Sequence, residues 1–168
     1  MTSRRNSRRT LFRTLALAVT GLTLGVFALF GGEARAQTKT PPYWASISAA
    51  QARMRVGPNL DYPANWVYRR RDLPVRVVQV HSNWRKIEDP SGTQGWMHVR
   101  LLSDTATAIV TAKEGNMHRD RGEDSPLLFL AEKGVVGRVG DCDDGWCLFD
   151  VAGKKGYIRA SNLWGAVE

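Results

Sequence analysis

Asn83-Trp84-Arg85-Lys86-Ile87-Glu88-Asp89-Pro90-Ser91-Gly92-Thr93-Gln94-Gly95-Trp96-Met97 decides the fold. Two strand-like runs, Trp84 to Glu88 and Gln94 to His98, flank Asp89-Pro90-Ser91-Gly92. Pro90 presets φ, and Gly92 supplies the positive φ that tight turns often need, so the stretch reads as a β-hairpin. Each run carries a tryptophan near its start, and the expected role of such residues is packing between curved sheets. The pattern recurs as Asp144-Gly145-Trp146-Cys147-Leu148-Phe149-Asp150-Val151-Ala152-Gly153-Lys154-Lys155-Gly156-Tyr157-Ile158. Trp84 answers to Trp146, Gly92 to Gly153, and Gly95-Trp96 to Gly156-Tyr157.

The segments around each hairpin extend the repeat. Before the first lie Arg53-Met54-Arg55-Val56, alternating with period two, the turn Gly57-Pro58-Asn59, then Tyr62-Pro63 and Trp66-Val67-Tyr68. The β-branched run Pro74 to Val80 suits a longer strand. Val99-Arg100-Leu101-Leu102 closes the unit as a short helical turn and a last strand. The second copy opens near Ala108-Ile109-Val110, with Met117-His118-Arg119 in the place of Met54-Arg55-Val56. Leu127 to Leu130 matches the Trp66 region, and Gly134 to Val139 the long strand. Met54 lies 30 residues before Trp84 and Met117 lies 29 before Trp146, whereas Trp84 to Trp96 spans 12 against 11 from Trp146 to Tyr157. Gly57-Pro58 has no clear partner, since Asp120-Arg121-Gly122 stands there. No amphipathic helix of three turns is visible after residue 36. The class is all-β, with two small barrels in tandem.

Both copies resemble bacterial SH3-like domains, whose pattern runs Arg-x-Gly-Pro, a β-rich middle, a Trp preceded by Gly or Asn, and a Gly-Trp hairpin followed by Leu-Leu-Ser. Copy one carries it as Arg55-Val56-Gly57-Pro58, Asn83-Trp84, Gly95-Trp96 and Leu101-Leu102-Ser103. Within that group the chain is similar to an exported proteobacterial subfamily with two such domains. The matching stretches are residues 56–63, Trp66-Val67-Tyr68-Arg69, residues 89–96, and Cys142 to Cys147 around Trp146. The resemblance implies SH3-like barrels over 47–103 and 104–168. It leaves function open, because one fold hosts many activities.

Residues 1–36 read as a signal peptide that would form a helix. Met1 to Arg13 holds five arginines and no acid, Leu15 to Phe30 is almost wholly apolar, and an Ala-x-Ala end at Ala34-Arg35-Ala36 predicts cleavage after Ala36. An uncleaved anchor is the alternative. Ser7-Arg8-Arg9-Thr10-Leu11-Phe12-Arg13 looks like a twin-arginine motif with its apolar positions exchanged, though a general secretory signal explains the pair equally. Residues 37–46, with Pro41-Pro42, form a lead-in expected to be flexible, strand-like from Tyr43. The destination is the periplasm, with no stable membrane span after cleavage.

Export removes most of the basicity. Six of the 24 Lys and Arg and one of the 16 Asp and Glu lie in residues 1–36, leaving 18 against 15. The basic character is therefore no argument for nucleic acid. The remaining charge is unevenly shared. Tyr43 to Ser103 has nine basic and four acidic residues, whereas Asp104 to Glu168 has eight and eleven. Opposite signs would help the copies dock on one another.

Cys142 and Cys147 bracket Asp143-Asp144-Gly145-Trp146, so a turn would put them on adjacent antiparallel strands. An oxidising compartment then favours a disulfide, which would contribute about 2 kcal/mol. A redox pair or half of a zinc site is the alternative, but a redox pair more often has Cys-x-x-Cys spacing and zinc needs further ligands.

The aromatics raise the question of a ligand. A shallow groove involving Tyr62, Trp66 and Trp84, with Tyr68 near a strand edge, is the candidate site; Arg69 and Arg70, with Arg71, would meet carboxylates or form a solvated turn. Eukaryotic SH3 domains hold proline-rich peptides on such aromatics, but their Ala-Leu-Tyr-Asp-Tyr signature is absent. No catalytic constellation is evident: His81, His98 and His118 are scattered, and no serine elbow, phosphate loop or Cys-His pair is present. Asp141, Asp143 and Asp144 crowd a turn without an EF-hand pattern. The expectation is a non-enzymatic module without cofactor or metal, binding peptidoglycan, cell-wall peptides or an envelope protein. A wall hydrolase is the alternative. Tandem weak sites suit a polymeric ligand.

Overall fold

Alternation of apolar and polar residues over short runs leaves the chain little choice but strands that bury one face. The computed structural model describes residues 39–167; the signal segment expected over 1–36 lies outside them. The first half contains β1 (Tyr43–Ile47), β2 (Ala52–Arg55), β3 (Ala64–Tyr68), β4 (Pro74–His81), β5 (Trp84–Glu88), β6 (Gln94–His98) and β7 (Leu102–Ser103). The second contains β8 (Thr107–Val110), β9 (Glu114–His118), β10 (Leu127–Glu132), β11 (Val136–Asp143), β12 (Trp146–Val151), β13 (Lys154–Arg159) and β14 (Leu163–Gly165). A single 3-10 turn precedes each last strand, Val99–Leu101 and Ala160–Asn162.

Two seven-stranded antiparallel sheets result, ordered β3-β2-β6-β5-β4-β1-β7 and β10-β9-β13-β12-β11-β8-β14. The orders are the same, so the internal duplication is one of topology as well as of sequence. Each sheet curls around its own core. The first is built from Ile47, Met54, Val75, Val77, Ile87 and Met97, the second from Val110, Met117, Cys147, Phe149 and Ile158. Each buried Val, Ile, Met or Phe side chain among them contributes about 1.5–3 kcal/mol on leaving water.

Two expectations need correction. The lead-in drawn over 37–46 is too long, because the strand expected from Tyr43 belongs to the first barrel: Tyr43 to Ser46 pair with Val77 to Pro74, and Ser46 and Ile47 pair with Ser103 and Leu102. Without β1 the slot between β4 and β7 would be empty, leaving two rows of backbone groups unsatisfied. The tryptophans, moreover, are buried without joining the two core clusters: Trp84 and Trp146 are among the buried residues but lie outside both. Ile87 faces the core, and period two puts Trp84, Lys86 and Glu88 on the outer face of β5. Trp96 and His98 pair with Lys86 and Trp84, so they share that face.

The one-residue differences between the copies fall in loops. Asp72 and Gly134 occupy equivalent positions, their amides donating to Ile47 O and Val110 O, so the arginine loop 69–71 is one residue longer than its counterpart 132–133. The other difference is in the hairpin turn. Ala152 (φ 52°) and Gly153 (φ 90°) make a two-residue turn between β12 and β13, whereas β5 and β6 are joined through Asp89 to Thr93.

The barrels touch. Trp44 of β1 meets Trp164 of β14 edge-on, with ring centroids 4.8 Å apart, and Arg70 Nη1 donates to Gly134 O at 2.9 Å. Among the described residues, no helix is long and apolar enough to cross a membrane.

Candidate binding groove

Arg55 organises the loop that forms one wall of the site. Its Nη1 donates to Leu60 O at 3.0 Å and to Tyr62 O at 2.6 Å, while Val56 N donates to Pro63 O. Asn59 turns the tip, its Oδ1 accepting from Leu60 N and its Nδ2 donating to Asp61. Leu60 is thereby held out into solvent, 67% exposed. Beneath this wall lies a groove of about 290 Å³ lined by Gln51, Arg53, Arg55, Leu60, Trp84, His98 and Leu101. Trp84 lies almost fully buried there, and His98 stands edge-on to it at 5.3 Å. The His98 Nδ1 accepts from Arg100 N, capping the 3-10 turn that presents Leu101. Arg53 is exposed, and its side chain makes no hydrogen bond or ion pair among the described residues. The groove thus has an indole and two leucines for apolar contact, with guanidinium groups beside them for an anion.

The residues expected to form the site are not brought together. Trp84 lines the groove. Tyr62 and Trp66 are exposed, on the Arg55-held loop and on β3, but neither lines it. Tyr68 is a buried core residue and does not line the groove. Its ring is buried 6.4 Å from Trp66, and its hydroxyl donates to Asp89 Oδ2 at 2.9 Å. Arg69 is exposed, and Arg70 reaches the second barrel. Sequence reasoning missed Arg53, Leu60, His98 and Leu101 as groove residues. Arg53 and Arg55 alternate with the buried Ala52 and Met54, which was the available signal.

Asp89 ties the hairpin turn to the core. Its Oδ1 accepts from Ser91 N, Ser91 Oγ and Thr93 N, each at 2.7–2.9 Å. Burial pushes the Asp89 carboxyl up, but the hydrogen bonds from Ser91, Tyr68 and the Thr93 and Ser91 amides outweigh it and hold it below its ordinary value. Burial, the bond to Asp89 and that carboxylate's charge all push the Tyr68 phenol well above its usual range. In the second barrel Ala131 takes the position of Tyr68 and Val151 that of Asp89, so the buried polar pair becomes an apolar one.

The second barrel closes its version of the groove with its own side chains. His118 replaces Arg55 and reaches the same point in the loop, Nδ1 lying 2.7 Å from Ser125 O. A carbonyl only accepts, so that nitrogen carries the proton. Trp146 replaces Trp84, but the Arg159 guanidinium lies 4.3 Å over its ring, fixed by a 2.8 Å bond from Nε to Glu123 Oε1. Asp120 stands for Gly57 and Ser125 for Tyr62, and the Ser125 hydroxyl accepts from Asp120 N. Cys142 and Cys147 are direct partners on β11 and β12 and are joined by a disulfide, with Cα atoms 4.0 Å apart. Among the described residues no three His, Cys, Asp or Glu side chains are grouped to hold a metal ion.

The sequence profile of the bacterial SH3 domain matches residues 48–104 and again residues 111–165. No curated protein matches the chain. Among solved structures, NlpC2 of Trichomonas vaginalis is 12% identical over 76% of this chain and 49% of its own, with a TM-score of 0.35. NlpC1 of the same organism is 12% identical over 75% and 46%, with a TM-score of 0.34. An NlpC/P60 family protein from Bacillus cereus ATCC 10987 is 13% identical over 73% and 56%, with a TM-score of 0.33. The chain spans about half the length of these structures. Two profile matches, on two barrels of one topology, make the chain a member of the bacterial SH3 domain family.

Proposed function

We propose that the protein is an exported, non-enzymatic binding module of the periplasm, and that its first barrel holds a carboxylate-bearing peptide of the cell wall. The observation that carries this reading is the groove itself. Trp84, Leu60 and Leu101 form an apolar floor and wall, and Arg53 and Arg55 stand beside them. A stem peptide of peptidoglycan combines small apolar side chains with free carboxylates, which is what such a lining complements. Tyr62 and Trp66 would extend the contact along the same barrel, where both are exposed. An acidic, partly apolar segment of an envelope protein has the same chemistry and is the second ligand to test.

Co-sedimentation with purified peptidoglycan sacculi tests the proposal. The protein is expected to pellet with sacculi, and Arg53→Glu and Leu60→Asp, both at exposed positions, are expected to abolish pelleting while leaving thermal unfolding unchanged. Retention unaffected by either change would remove the groove from the account. No retention of the unaltered protein would redirect the search to an envelope protein partner. Release of soluble muropeptides from the sacculi would instead make it a hydrolase.

A further inference from the structure

Arg70 and Arg71 of the arginine triplet lie at the junction of the barrels, not in the groove. A cleft of about 340 Å³ opens there, lined from the first barrel by Arg70, Arg71 and Asp72 and from the second by residues that include Arg138, Asp150 and Gly153. Two of its guanidinium groups are already oriented. Arg70 Nη1 donates to Gly134 O at 2.9 Å, and Arg71 Nη1 donates to Ser48 O at 2.7 Å. Each bond uses one of the five N–H donors of an arginine and fixes the plane of the rest. Arg138 approaches from β11, exposed and with no ion-pair or hydrogen-bond partner among the described residues.

The two carboxylates in the cleft offset only part of this charge. Asp150 is committed elsewhere, its Oδ1 accepting from Gly153 N at 2.7 Å and its Oδ2 lying 3.7 Å from Lys155 Nζ. Asp72 forms no ion pair among the described residues. The loop that carries Arg70 and Arg71 is also the one that is a residue longer than its counterpart, and the two replacing residues in the second barrel are Glu132 and Lys133. Three guanidinium groups from two barrels, two of them pinned by carbonyl oxygens, face two carboxylates in the cleft, so positive charge is in excess there.

We propose that this cleft is an oxyanion site, separate from the groove, that takes the carboxylate or phosphate of an envelope ligand and so bridges the two barrels. The arginine forks suit either group. The test is an NMR titration of the exported protein in about 0.15 M NaCl, where charges more than about 8 Å apart are screened. Inorganic phosphate and N-acetylmuramate are added in separate arms. The Nε–Hε resonances of Arg70, Arg71 and Arg138 are expected to shift saturably with at least one probe, and the arm that responds identifies the ligand as phosphate or carboxylate. Arg138→Gln, which touches no contact between the barrels, is expected to weaken that binding about tenfold. The proposal is overturned if none of the three resonances responds to either probe, if Arg53 and Arg100 shift as much, or if Arg138→Gln binds as the unaltered protein does. None of these outcomes bears on sacculus binding by the groove.

Discussion

The ring of Tyr62 lies directly on Gly57: a Cβ at residue 57 would meet the Tyr62 Cδ2 at 2.5 Å and Cγ and Cε2 at 2.6 Å. The two residues therefore form one unit, and the second barrel lacks both, having Asp120 and Ser125 joined by a hydrogen bond instead. Gly57→Ala should displace the tyrosine ring and cost about 1 kcal/mol in urea unfolding. That cost should largely disappear in a Tyr62→Ser background. Equal costs in both backgrounds would show that glycine is needed there for another reason.

The Tyr68–Asp89 pair should be the polar keystone of the first barrel. Tyr68→Phe removes a bond to a charged group and is expected to cost about 2 kcal/mol. Asp89→Ala removes that bond together with the acceptor for Ser91 and Thr93, and should cost more. Chemical denaturation of both variants checks the order.

The same pair fixes how stability depends on pH. Asp89 is held below its ordinary value of 3.8 in the folded protein, so the stabilisation it gives is complete above that value and is lost as pH falls below it. Tyr68 is raised above its ordinary value of 10.0, so its contribution is complete below pH 10.0 and declines as pH rises beyond it. Unfolding followed across pH should show both losses, and Tyr68→Phe should flatten the alkaline one.

Removing the disulfide as Cys142→Ala with Cys147→Ala should destabilise the second barrel by about 2 kcal/mol, the value expected for so short a loop. Amide exchange should rise on β11 and β12 and stay unchanged on β4 and β5. A uniform rise over both barrels would mean that they unfold as one.

Trp164→Ala should loosen the junction, because the edge-on contact with Trp44 is worth about 0.5–1.5 kcal/mol beyond its buried area. Small-angle scattering should report a larger radius of gyration. An unchanged scattering curve would leave the hydrogen bond from Arg70 to Gly134 O as the contact that sets the arrangement.

The fold was legible because strand periodicity and turn residues are local. Trp84 to Glu88 and Gln94 to His98 are strands with the expected bounds, and the two cysteines face each other across the expected turn. The candidate site was less legible, because which face a tryptophan occupies depends on strand parity counted from a core residue. Trp84 looked like filling for the interior until Ile87 fixed the inward positions. Tyr68 and Trp66 have the same spacing and chemistry in sequence, yet one is buried against Asp89 and the other is exposed, a distinction made by a residue 21 positions away. Arg53 lies on an alternating strand and Leu60 in the stretch 56–63, but only the closed barrel brings them beside Trp84.

The link between the barrels has a mechanical consequence. Ser46 Oγ bonds both Ser103 Oγ and Thr105 O, so the connecting segment is laid down on the first barrel, and β8 begins at Thr107 only two residues later. Such a tether allows no slack. The groove of the first barrel and the cleft at the junction are then held at one separation, and a ligand reaching both would gain avidity only where its own groups offer that spacing.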